Sequence, residues 1–163
     1  MAKAREVPGI HGELPYAAAA ARVVGVRAAE VAEFSGDVLD LAEIEHVHAM
    51  RVATRRLRAA LEAFKPCFPK AEYRAALREV KAVADALGER RDRDVAIAAL
   101  EAFAGDVTAA ERPGIESLIA ALAAEQRQAN ENLRAFVDED RLRALGGRLA
   151  SLVSAAERKA AKA

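Results

Sequence analysis

Apolar residues recur every three or four positions along almost the whole chain, which is the spacing of one face of an α-helix. Six helical stretches follow from that period: 15–34, 46–64, 71–87, 92–104, 113–137 and 140–159. Residues that stop helices lie between them. Ser35-Gly36 closes the first, with glycine suited to a left-handed cap. Pro66 and Pro69 close the second, and Gly88 the third. Asp92 reads as the N-cap of the fourth, and Ala104-Gly105 as its end. Pro113 suits the first turn of the fifth, while Thr108-x-x-Glu111 offers a competing capping box upstream. Gly146-Gly147 is a weak point in the sixth. No segment alternates with period two. The predicted fold is all-α, an antiparallel bundle of about six helices joined by short connections.

Length and composition narrow this further. At 163 residues the chain is one domain's worth, enough to hide about 70% of the surface its unfolded form exposes. Residues 1–13 read as a loose N-terminal segment and 14–160 as the helical domain. The uncharged stretch 14–21 is stopped by Arg22, well short of the ~20 residues that span a bilayer. Neither a membrane span nor a signal peptide is expected. A single cysteine, Cys67, can form neither an internal disulfide nor a cysteine-based zinc site. These features point to a soluble cytoplasmic protein.

The net charge is zero, from 25 basic and 25 acidic residues, but the charges are unevenly spread. Residues 36–45 carry Asp37, Asp40, Glu43 and Glu45 with no base. Residues 46–94 carry twelve Lys/Arg against seven Asp/Glu. Within that block, 46–58 holds two histidines, four arginines and no acid. Such clustering is what attracts an anion, because a charge's field fades within a Debye length of about 8 Å.

A helical wheel sharpens the pattern. With His48 at zero and about 100° per residue, Arg55 falls near 340°, Arg51 near 300° and Arg58 near 280°. Val47, Met50, Thr54, Leu57, Leu61 and Phe64 fill the adjoining arc. Arg56, near 80°, is on the other flank. A single-sign stripe beside an apolar stripe repels itself by a few tenths of a kcal/mol per neighbouring pair, of order ~0.3. Either an anion lies against the stripe, or acids from other helices, such as Asp92 and Asp94, neutralise it. Guanidinium groups suit phosphate oxygens because their donor fork can grip two at once.

Two stretches also carry a resemblance. Val47-His48-x-Met50-Arg51-Val52-Ala53-Thr54-Arg55-Arg56-Leu57-Arg58 resembles the signature of the CHAD family, the conserved-histidine α-helical domain. Leu87-Gly88-x-x-Arg91-Asp92-x-Asp94-Val95, with Lys81 six residues before Leu87, resembles the family's second element. The likeness runs over roughly 14–152. It implies an all-helical fold and a basic surface that binds inorganic polyphosphate. It also implies a phosphate-facing group of His48, Arg51, Arg55, Arg56 and Arg58, joined by Lys81 and Arg91 from neighbouring helices. Family domains usually contain two such helical halves, and this chain resembles the first. A homodimer that restores the pair is therefore expected, as is association with polyphosphate granules.

Other candidates weigh less. His46 and His48 diverge by about 200° on a helix and cannot share one metal ion; His46 is expected at the helix N-terminus near solvent. Asp92 and Asp94 are explained by capping, by the helix dipole, or by orienting nearby arginines. Arg90, Arg91 and Arg93 alternate with acids and read mostly as a solvated or salt-bridged face. The expected function is non-catalytic polyphosphate binding, with no cofactor, no metal and no specific nucleic-acid partner, since an aromatic stacking platform is lacking. The alternatives are a phosphohydrolase acting on polyphosphate or triphosphate, and a helical adaptor for an acidic protein.

Overall fold

A computed structural model describes residues 4–162. Among them are five α-helices, one short 3-10 turn and no strand: α1 Tyr16–Glu33, α2 Ile44–Ala63, α3 Lys70–Ala104, α4 Arg112–Arg134 and α5 Glu139–Ala160, with the 3-10 turn at Lys65–Cys67. The all-α expectation holds. The difference lies in α3, which runs unbroken for 35 residues through both Gly88 and Asp92. A glycine inside a helix costs only about 1 kcal/mol. Burial of Val83, Leu87 and Arg90 on either side of it outweighs that cost. Asp92 is therefore an exposed mid-helix residue and not a cap.

Elsewhere most helix ends fall near the residues read as their stops, although α1 ends at Glu33 with Phe34 as its cap and Gly36 does not take the left-handed conformation expected of it. Pro66, just past α2, cannot supply the next helical N–H, and the chain tightens instead, with the Cys67 amide donating to the Phe64 carbonyl at 2.8 Å. The Asp138 side chain caps α5, accepting from the amides of Asp140 and Arg141 at 3.0 and 3.3 Å. Glu139 and Asp140 in its first turn, and Arg158 and Lys159 in its last, complement the helix dipole. Ahead of α4, Glu111 accepts from both the amide and the hydroxyl of Thr108, which closes a turn but not the capping box, and α4 begins at Arg112 with no side-chain cap.

α1 packs between α2 and α5, α3 packs between α2 and α4, and α5 closes back on α3. Neighbours run antiparallel. Lys81 meets Glu62 while Arg91 meets Glu45, which sets the α2–α3 register. Val24, Met50, Leu57, Leu61, Val80 and Leu152 are fully buried at the centre. The second half of α3 and most of α4 form a hairpin that leaves Val95, Phe103 and Leu118 about half exposed. No helix of the described residues is long and apolar enough to cross a membrane.

The N-terminal segment, expected to be loose, is held on α1. The Arg5 amide donates to Glu30 at 2.6 Å, Arg27 donates to the Arg5 carbonyl at 3.0 Å, and Arg22 donates to the Gly9 carbonyl at 2.5 Å. Gly9 has φ +72°, and a Cβ there would collide with the Arg22 guanidinium. The positive φ is what favours glycine here, since the guanidinium is the end of a flexible side chain and can move aside. Residues 1–3 of the segment lie outside the described residues.

Candidate anion-binding groove

The rotation of α2 is set by its buried stripe. Val47, Met50, Leu57 and Leu61 are fully excluded from solvent. Thr54, buried among them, satisfies its hydroxyl by donating to the Met50 carbonyl at 2.8 Å. With that face fixed, the 3.6-residue period leaves Arg51, Arg55 and Arg58 nowhere but the edge shared with α3. There they line a groove of about 230 Å³ together with Ala84, Asp85 and Gly88 of α3. Ala84 and Gly88 are what leave the space. A Cβ added at Gly88 would meet nothing within 4 Å.

The pairing of the basic groups is uneven. The Arg58 Nε donates to Glu62 Oε1 at 3.1 Å, and Lys81 Nζ stands 3.9 Å from the same oxygen. Glu62 is thus a shared acid at the α2 C-terminal end of the groove. Both pairs are nearly half exposed and worth little individually. Arg91 is more committed. Its Nη1 donates to the Ile44 carbonyl at 3.3 Å, and its Nη2 is 3.7 Å from Glu45. Between these ends, Arg51 and Arg55 have no ion-pair or hydrogen-bond partner among the described residues. The only carboxylate in the groove lining is Asp85. Asp92 and Asp94 do not neutralise the stripe.

A family model described as the CHAD domain matches residues 22–163. The chain belongs to the CHAD family. No curated protein and no solved structure matches it.

The CHAD signature residues do not all converge. Arg51, Arg55 and Arg58 share the groove, Lys81 joins them through Glu62, and His48 is half-buried on the same helical stripe, one turn before Arg51. Arg56 is placed apart. Its charge acts on Glu30 of α1, on the flank where the wheel puts it. Glu30 is fully buried, which by itself pushes its carboxyl up. The Arg5 amide, the Arg27 hydrogen bond at 2.8 Å and the charges of Arg27 and Arg56 outweigh this and hold it below the ordinary range. His46, in the first turn of α2, is partly buried rather than near solvent, with its Nδ1 shielded. Burial raises the Cys67 thiol above its usual range, with Lys159 pulling the other way.

The charge run at 89–94 in this CHAD chain is salt-bridged, with Arg91 paired to Glu45 and Arg93 to Glu125, but part of it is buried rather than on a face. Arg90 and Asp94 form a completely buried ion pair one turn apart, and Gln126 of α4 donates to the same Asp94 oxygen at 2.7 Å. The pair joins α3 to α4 and fixes the helical register that brings Arg91 to the α2 N-terminus. Orienting nearby arginines was one reading of these aspartates, and Asp94 does so for Arg90. An arginine–aspartate pair four residues apart is usually a surface pair. Its burial comes from α4, which no local signal reveals. Among the described residues no group of three or more His, Cys, Asp or Glu side chains could hold a metal ion.

Proposed function

We propose that this CHAD domain is a non-catalytic module that binds inorganic polyphosphate along the α2–α3 groove. The observation that supports the reading best is the pair Arg51 and Arg55, neither ion-paired nor hydrogen-bonded among the described residues, set in a groove that small residues keep open and that holds a single carboxylate, Asp85. Unpaired guanidinium groups held side by side repel one another. A row of phosphate oxygens relieves that repulsion through charge-assisted, two-pronged hydrogen bonds. Polyphosphate carries no bases, so recognition needs only donors along a track. The groove offers several guanidinium groups and one carboxylate, a composition suited to holding phosphate oxygens rather than assembling a metal-bound water. In this reading the protein acts in the cytoplasm, at polyphosphate granules.

Titration with long-chain polyphosphate tests it. Arg51→Ala and Arg55→Ala should each weaken binding by roughly tenfold, about one charge-assisted hydrogen bond, with unchanged thermal stability, because neither side chain has a partner to lose. Wild-type affinity in a folded Arg55→Ala variant would remove the groove from the contact.

A further inference from the structure

The basic surface continues beyond the groove. On α3, Arg74, Arg78 and Lys81 are spaced by four and three residues and so rise on one exposed ridge. The α2 groove lies on one side of this ridge. On the other side, between α3 and α5, is a second pocket of about 210 Å³ whose lining includes Arg78, Val83, Phe136, Arg141 and Leu145. Two guanidinium groups thus face an apolar floor.

Arg141 is held in place there. Its Nη1 donates to the Ala135 carbonyl at 2.6 Å, and its guanidinium sits 5.2 Å from the centre of the Phe136 ring. The one acid in the lining, Glu79, has its charge met by Arg148 Nε at 3.0 Å. Arg78 and Arg74 have no ion-pair or hydrogen-bond partner among the described residues. The two pockets are joined across the ridge. Arg58 and Lys81 reach the same Glu62 oxygen, and Lys81 is one turn from Arg78.

We propose that the pocket between α3 and α5 is a second phosphate subsite, built on Arg78 and Arg141, and that a long polyphosphate chain crosses the α3 ridge to occupy it together with the α2 groove. The inference rests on polyphosphate binding at that groove. Packed helices stand 8–10 Å apart, so the track from the α2 flank to the α5 flank covers roughly 16–20 Å. Triphosphate fills one subsite, whereas a long chain reaches both. Its second contact is then intramolecular and gains from effective concentration. Preference for long chains follows from this spacing without any groove closing around the ligand.

The test is titration calorimetry of wild type, Arg78→Ala and Arg55→Ala, each against long-chain polyphosphate and against triphosphate at several salt concentrations. Arg78→Ala should bind long chains several-fold more weakly, with a salt slope shallower by about 0.7, while its triphosphate affinity stays at the wild-type value. Arg55→Ala should weaken both ligands. Arg78 is exposed and unpartnered, so the variant should fold; Arg78→Gln provides a second version that keeps the aliphatic stem. Unchanged long-chain affinity and slope in both Arg78 variants would overturn the second subsite while leaving the groove intact. Equal losses for triphosphate and long chains would also overturn it, since Arg78 would then share a single site with Arg55. Absence of binding to wild type would overturn the groove reading itself.

Discussion

Substituting Asp94 by Asn should destabilise the domain more than any change on the basic face. The side chains of Arg90 and Asp94 are both fully buried. Burial opposes their charges, pushing the Asp94 carboxyl up and the Arg90 guanidinium down, against the attraction of the pair and the Gln126 hydrogen bond. Arginine does not give up its proton in a protein. Asn at 94 would therefore leave Arg90 charged, dry and without a counter-ion. Breaking a buried pair this way costs about 3–5 kcal/mol, a large part of the roughly 5–15 kcal/mol that holds a domain together. For a chain of this size the midpoint should fall by about 2–4 °C per kcal/mol. Replacing both partners by apolar residues, Arg90→Met with Asp94→Leu, should be far milder, from neutral to a gain of about 1–4 kcal/mol. Urea unfolding followed by circular dichroism measures both variants. A loss under about 1 kcal/mol for Asp94→Asn with an unchanged denaturant slope would refute the argument, since the Arg90 charge would then have found water or another partner.

Three further outcomes follow from individual residues. Asp85 is the only acid lining the α2–α3 groove, so Asp85→Asn should tighten polyphosphate binding by two- to threefold, from ~0.5 kcal/mol of removed repulsion at water-like screening; unchanged or weaker binding in a titration would count against a phosphate chain in that groove. Glu30 has its carboxyl held below the ordinary range, so it adds stability above about pH 4.3 that is lost as the pH falls through its lowered folded value. Wild type should accordingly lose more stability on acidification than Glu30→Gln, and parallel urea midpoints down to about pH 3 would contradict this. We also propose that two copies pair about a twofold axis, doubling the arginine track and drawing on the half-exposed Val95, Phe103 and Leu118; light scattering should give about twice 17.4 kDa, and a clean monomer mass with and without polyphosphate would sink the dimer.

The hydrophobic period was enough to read the helices, because each buries a face whose spacing is written locally. It also placed the α2 arginines, since burial of Met50, Leu57 and Leu61 leaves Arg51, Arg55 and Arg58 only one edge. Gly88 and Asp92 misled for a physical reason. Both are common at helix ends, but their cost inside a helix is small beside the packing of Leu87 and Arg90. The Arg90–Asp94 pair and the Glu30 cluster were not legible. An acid one turn from an arginine looks the same on a surface as in a core, and only the arrival of Gln126 from α4, or of Arg5 from the N-terminal segment, distinguishes them. Arg56 is the intermediate case. Its wheel angle already separated it from the stripe, while the family signature grouped it with the others.

The most direct test is the salt dependence of long-chain polyphosphate binding to the wild-type protein. A ligand held by four to six basic groups along the groove should give a log–log slope of roughly −3 to −4, at about −0.7 per neutralised phosphate. Arg55→Ala should make that slope shallower by about 0.7. A slope near zero, or one that Arg55→Ala leaves untouched, would mean that the arginine groove is not where polyphosphate binds.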